Sequence, residues 1–311
     1  MESYQSEPRN ATFALKGTRL DSRPRAAELQ GPSTAAGDTG RRPPLQLGAG
    51  PAAALAAASC IHTREVAGLA DESPVLRVSN LSLVTPDGAR QLFTNVSFDV
   101  AAGEHLLVTG TSGAGKSSML RALAGLWTRG AGRVTRPPTN ATMFLPQRPY
   151  CTLGSLREQL VYPQTVQEWR DAINTDGPLL SALRTVQLER LAERASLDEV
   201  RDWGDELSLG EQQRLAFARL LVNKPKLAIL DEATSALDLG NEAAMYSALA
   251  KVPGITYVSV GHRPSLLRYH ASRLRLYGMD QAPSYAVEPI DEAAIEQQAK
   301  EEREMADQTA W

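Results

Sequence analysis

The chain has 311 residues, long enough for one large domain or two modest ones. Its formal net charge of −3 gives no bulk electrostatic footprint for nucleic acid. Its two cysteines, Cys60 and Cys151, form neither a C-x-x-C pair nor a zinc spacing, and no stretch approaches the run of about 20 apolar residues that crosses a bilayer.

Residues 1–73 are rich in Ala, Gly, Pro, Ser and Arg, with few aromatics and no sustained period. Such a composition buries too little apolar surface to offset ordering entropy, so it predicts disorder. A transit peptide is an alternative, but Glu2, Glu7, Asp21, Glu28 and Asp38 spoil its acid-poor signature. A translated upstream region or a truncated gene is the other alternative. Val75 to Val84, the turn Pro86-Asp87-Gly88 and Leu92 to Val100 predict a small antiparallel flap.

Glu104 to Thr109 carry a Leu-Leu-Val run that fits a buried parallel strand. Gly110, Thr111, Ser112, Gly113, Ala114, Gly115, Lys116 and Ser117 follow as G-x-x-x-x-G-K-S, with Ser118 next. In this pattern glycines let backbone N–H groups curl around phosphate at a helix N-terminus. Lys116 would reach the β- and γ-phosphates, and the Ser117 hydroxyl would ligate magnesium. Leu120, Leu123, Ala124 and Trp127 recur at helical spacing and predict the helix.

Gly130-Ala131-Gly132 and Pro137-Pro138 read as a break, and Met143-Phe144-Leu145 as a short strand ending at Gln147. The Gln147 amide oxygen could reach magnesium or an attacking water; alone it would be an ordinary exposed glutamine. Leu156–Val161, Trp169–Ile173, Leu179–Val186 and Leu188–Ala195 predict a helical insertion. Ser208 and Glu211 then make a capping box for a helix that is apolar on most sides. Gly210 is not explained by the cap, because glycine costs about 1 kcal/mol in a helix. Its place suggests close approach to a backbone where an anion would bind.

Lys226 to Leu230 form a second apolar strand, ending in Asp231-Glu232. Neighbours on a strand point to opposite sides, so one carboxylate can hold magnesium while the other takes a proton. Thr256 to Val260 form a third such strand, ending at Gly261-His262. The whole reads as an α/β P-loop NTPase: a mainly parallel sheet, an antiparallel β flap and a helical insertion. Its predicted limits are residues 74–280, followed by an acidic tail, 281–311, with helix-friendly spacing and a thin apolar stripe.

Together these residues resemble the nucleotide-binding domain of ABC transporters: Gly110–Ser117 as Walker A, Gln147 as Q-loop, Leu207–Gln213 as signature, Leu227–Glu232 as Walker B, Ser235–Asp238 as D-loop and His262 as switch histidine. Leu145–Tyr150, Trp203 and Gly261–Leu266 are similar to subfamily D, the peroxisomal fatty-acyl-CoA half-transporters and their bacterial and plastid relatives. The resemblance implies that Lys116 and the loop amides hold ATP, and that Ser117, Gln147 and Asp231 organise Mg2+. It further implies that Glu232 polarises the attacking water and His262 contacts the γ-phosphate. Ser208 and Gly210 would act on the ATP of a second, head-to-tail cassette, with Asp238 along the seam.

Three departures stand out. Leu209 and Glu211 replace the usual glycine and glutamine of the signature, and Thr85 stands where many such ATPases stack an aromatic ring on adenine. Subfamily D members also carry a membrane domain ahead of the cassette, which this sequence does not contain. The resemblance therefore implies an ATPase powering a transporter, either with a separate membrane subunit or as a fragment whose transmembrane domain is absent from this sequence, with peroxisome, plastid and plasma membrane unresolved. A soluble ABC ATPase with a scaffold or assembly role, and a truncated nucleotide-binding module, are the alternatives. Neither cargo nor homo- versus heterodimer is specified by these residues.

Overall fold

The computed structural model describes residues 60–67, 74–173, 175–279, 284–291, 293 and 295–296, all within the unit Gly48–Trp311. Most of the 1–73 segment and most of the acidic tail lie outside the described residues. Strands β1 (His62–Glu65), β2 (Leu76–Val84) and β3 (Gln91–Val100) precede the phosphate loop. Strand β4 (His105–Gly110) leads into that loop and helix α1 (Lys116–Leu123), and β5 (Gly130–Arg136) and β6 (Thr142–Leu145) follow. The insertion comprises β7 (Leu153–Ser155), α2 (Leu156–Val161), α3 (Val166–Ala172), α4 (Gly177–Thr185), α5 (Glu189–Arg194) and β8 (Val200–Asp202). A short helix α6 (Trp203–Glu206) leads to α7 (Leu209–Asn223), β9 (Leu227–Asp231), α8 (Leu239–Leu249), β10 (Thr256–Val260), β11 (Ser272–Leu276) and β12 (Tyr285–Pro289).

Six strands form the central sheet in the order β12-β11-β4-β10-β9-β6. All neighbours are parallel except β11 and β12. β9 and β10 are buried at every position, as strands covered on both faces must be. Alternation then sorts their side chains between two cores. Ala228 and Leu230 face the insertion and α7, whereas Leu227 and Ile229 face α1 and the flap. Each such leucine or isoleucine contributes about 1.5–3 kcal/mol through burial.

The register matters for function. Val260 pairs with both Asp231 and Val108, and Leu145 with Leu230. β4, β6, β9 and β10 therefore end along one edge of the sheet, where the phosphate loop, Gln147, Asp231-Glu232 and Gly261-His262 follow them. The carboxyl edge of a parallel sheet is where ligands bind in such folds.

The flap is larger than the two strands predicted. It has four, in the order β1-β5-β2-β3. β1 falls inside the segment predicted to be disordered, and Gly130–Gly132, predicted as a break, opens β5. Both glycines have positive φ, and a Cβ would lie 2.0 Å from the Ser82 carbonyl at Gly130 and 2.5 Å from the Asn80 carbonyl at Gly132. Here glycine marks the close approach of another backbone, not the end of a strand. Two further corrections concern the helix and the tail. α1 stops at Leu123, so Trp127 lies beyond it and donates its indole N–H to the Val84 carbonyl at 3.1 Å. β12, within the segment read as an acidic tail, pairs with β11, so the sheet continues past residue 280.

The insertion helices fall where periodicity placed them. α2 and α3 each start with a complete capping box, Ser155 with Glu158 and Thr165 with Glu168. Trp203 is buried beside them and donates to the Gly154 carbonyl at 2.9 Å. Among the described residues no helix is long and apolar enough to cross a membrane.

Candidate active site

The loop Gly110–Gly115 turns directly into α1 through Gly115, whose φ of 92° is left-handed. A Cβ there would also sit 3.2 Å from Leu92 and 3.4 Å from the Phe93 ring, so only glycine lets the loop lie on the flap. Phe93 is 1% exposed, a core residue beneath the loop. The first turn of α1 holds no acidic residue, which leaves its positive end uncompensated for an anion. Lys116 is buried, and its Nζ donates to the Gly110 and Thr111 carbonyls at 2.9 and 3.0 Å. Burial pushes this ammonium below its ordinary range, against the pull of Glu232 and Asp231.

Ser117 Oγ donates to Asp231 Oδ1 at 2.7 Å, joining the start of α1 to the end of β9. Burial raises the Asp231 carboxyl above its usual range; the Ser117 hydrogen bond and the positive charge of Arg121 oppose that rise. Glu232 follows with a left-handed φ of 49°, which bends the chain away from the strand direction. Its two oxygens have separate holders. Gln147 Nε2 donates to Oε2 at 2.7 Å, and His262 Nε2 stands 3.1 Å from Oε1.

Gln213 is a residue whose role was not foreseen. It is fully buried on α7, donates to the Gln147 carbonyl at 3.0 Å and to Ser235 Oγ at 3.1 Å, and accepts from the Ala236 amide at 2.9 Å. The signal was a polar side chain on a helix that is apolar nearly all round, since buried amides need partners. Glu242 is another such residue: 1% exposed, it accepts from Thr234 at 2.9 Å, Ser265 at 2.5 Å and Arg263 at 3.2 Å. These bonds fix the loop that carries His262.

Ser208, Gly210 and Asp238 are set apart from this constellation. Ser208 caps α7 through the predicted box with Glu211, and Asp238 caps α8 by accepting from the Asn241 amide at 2.8 Å. Both are exposed. A Cβ on Gly210 would meet the Ala236 carbonyl at 3.3 Å, so a neighbour within this chain accounts for part of its tight backbone approach.

Residues 93–235 match the sequence profile of the family described as ABC transporter. This chain carries an ABC transporter nucleotide-binding domain. The cassette resembles subfamily D. It is 50% identical over 200 residues to an ABC transporter ATP-binding protein of Synechocystis, covering 64% of this chain and 29% of that one. It is 43% identical to ABC transporter D family member 2, chloroplastic, of Arabidopsis thaliana (66% of this chain, 35% of that one). Against human ATP-binding cassette sub-family D member 3 the identity is 40% (71% and 33%). The chain thus spans about a third of the length of these relatives. A bacterial Atm1-family ABC exporter solved with ATP bound superimposes with a TM-score of 0.58 at 26% identity, over 68% of this chain and 39% of that one.

Proposed function

We propose that this chain supplies the ATP-binding and ATP-hydrolysing part of a membrane transporter. The observation that carries the proposal is the arrangement around Glu232. Its carboxylate closes β9 beside the phosphate loop, and Gln147 and His262 each hold one of its oxygens.

ATP would lie with its phosphates on the amides of Gly110–Ser117, with Ser118 in the same turn and Lys116 as counter-charge. Ser117 Oγ, Asp231 and the Gln147 amide oxygen are hard oxygen donors suited to Mg2+. Among the described residues no cluster of three or more His, Cys, Asp or Glu forms a metal cage. A magnesium site sharing its ligands with phosphate and water fits that donor set. When bound, the ion supplies charge neutralisation on the phosphates. Glu232 would accept the proton of the attacking water while Gln147 and His262 keep it oriented, and Lys116 and the α1 N-terminus would stabilise the transferred charge.

The capped N-terminus of α7, with Ser208 and Gly210 exposed or half-buried, would serve the ATP of a second cassette, and Asp238 would line that seam. Closure of two such cassettes would drive a transmembrane subunit or domain, placing the chain at a membrane. The likeness to subfamily D supports fatty acids or acyl-CoA as cargo. We read the cassette as residues 74–280 together with β1 and β12, which lie outside those limits and pair with its two sheets. The purified chain should turn over ATP, and chain expressed with its partner should sediment with membranes. Tight ATP binding without turnover by the wild-type chain would contradict the proposed hydrolysis.

A further inference from the structure

The hydrogen bonds around Glu232 close into a ring. Gln147 Nε2 and His262 Nε2 hold its two carboxylate oxygens. From Gln147 the path runs through the backbone carbonyl to the buried Gln213 side chain at 3.0 Å, and on to Ser235 Oγ at 3.1 Å and the Ala236 amide at 2.9 Å. From His262 it runs to the next residue, Arg263, whose Nη1 donates to the Leu237 carbonyl at 2.7 Å. Arg263 Nη2 stands 3.5 Å from the Ser235 carbonyl. Both arms therefore meet on one turn, residues 235–237, just beyond Glu232 in the chain.

That turn is seated on its own account. The Ser235 amide donates to the Glu232 carbonyl and the Leu237 amide to the Thr234 carbonyl, each at 3.0 Å. The Ala236 carbonyl lies against the start of α7, where a Cβ on Gly210 would approach it to 3.3 Å. Arg263 is anchored from behind, since its Nη1 also reaches the buried Glu242 carboxylate in the first turn of α8, at 3.2 Å. Gln213 uses both amide hydrogens and its oxygen, and Arg263 spans a carboxylate and a backbone carbonyl. An aliphatic side chain cannot reproduce the first geometry, nor a lysine the second. All of these bonds fall outside the phosphate loop.

We propose that Arg263 and Gln213 are positioning residues for Glu232, acting through the turn at 235–237 to keep Gln147 and His262 on its two oxygens. The inference rests on the proposed hydrolysis at Glu232 and adds two residues to it. Loosening either arm frees one holder, and the carboxylate turns away from the water that it would orient. A misplacement of about 1 Å can cost on the order of a hundredfold in rate. With the other arm intact the loss should be smaller, roughly tenfold.

The test is steady-state phosphate release by the full chain, with ATP affinity measured separately by fluorescent nucleotide binding. Arg263→Lys keeps a cation for Glu242 without the planar fork, and Gln213→Met keeps the volume without the hydrogen bonds. Each should lower kcat on the order of tenfold and leave ATP affinity within roughly threefold of wild type. The double variant should lose little more than the worse single one, because both arms act on one carboxylate. Circular dichroism checks the fold, and Arg263→Lys decides the matter if Gln213→Met does not fold. Lysine would satisfy an arginine that served only to neutralise Glu242, so a wild-type kcat in Arg263→Lys would overturn the proposal. So would single losses that multiply in the double variant, or ATP affinity that falls in step with kcat. A wild-type chain that binds ATP without turnover would reject the proposed hydrolysis, and this role with it.

Discussion

Gln147 donates its side-chain amide to Glu232 Oε2 at 2.7 Å, so a residue leaving β6 holds the carboxylate that closes β9. The backbone carbonyl of the same Gln147 accepts from Gln213 of α7 at 3.0 Å. Through one residue, the helical insertion that follows β6 and the buried helix behind the signature both bear on the proposed base. A shift of the insertion would therefore alter how Glu232 is held, the route by which the proposed transmembrane partner, if it docks there, would reach the proposed hydrolysis.

Lys116→Ala should lower ATP affinity by roughly two orders of magnitude, as loss of a charged phosphate contact implies. Lys116 also ties the loop together through Gly110 and Thr111, so a fall in Tm of a few degrees, ~2–4 °C, should accompany it. Fluorescent nucleotide binding and a thermal melt measure the two effects. Wild-type affinity in the folded variant would remove Lys116 from the site.

Base preference should be weak. Thr85 is committed to its own turn, donating to Asp87 at 2.5 Å and accepting from the Arg90 amide at 3.0 Å, and Phe93 is buried beneath the loop. Without a stacked ring, worth about 0.5–1.5 kcal/mol, GTP should displace ATP within roughly threefold of ATP itself. Competition binding measures this. A preference for ATP beyond tenfold would mean that another group reads adenine.

How much of this was legible in the sequence follows from what each residue must do. β4, β9 and β10 are read directly because burial on both faces demands unbroken apolar runs. The edge strands β1 and β12 carry mixed polar residues, and β5 begins with glycines that crowding against β2 requires; neither pattern resembles a strand by composition. The loop, the Asp231-Glu232 pair and His262 were visible because phosphate chemistry needs those residue types at strand ends. Gln213 and Glu242 act by holding other residues, and nothing in their local sequence names the loops that they hold.

Acid should destabilise the fold through His270. Its ring is buried, Nδ1–H donates to the Leu266 carbonyl at 2.7 Å, and burial pushes its pKa down to about 3. An unfolded imidazole titrates near 6.5, so between these values the unfolded chain binds the additional proton. This contribution is complete above about pH 6.5 and is lost as pH falls toward 3, at up to about 1.4 kcal/mol per pH unit. His270→Asn keeps a donor for Leu266 and should flatten the pH dependence of the urea midpoint between about pH 6 and 4. Equal slopes for wild type and variant would show that His270 does not titrate on unfolding.

The most direct test of the account is light scattering after gel filtration of Glu232→Gln with MgATP, at high protein concentration, with phosphate release followed in parallel. The variant keeps the loop, Ser117 and Asp231, so it should bind nucleotide while hydrolysis slows on the order of a hundredfold or more, as loss of a general base implies. Trapped ATP bound only by the paired state should shift the chain from monomer to dimer by mass action, and Ser208→Arg should block that shift. Hydrolysis at the wild-type rate by Glu232→Gln would contradict the assigned base, and tight ATP binding by a persistent monomer would contradict the head-to-tail pair.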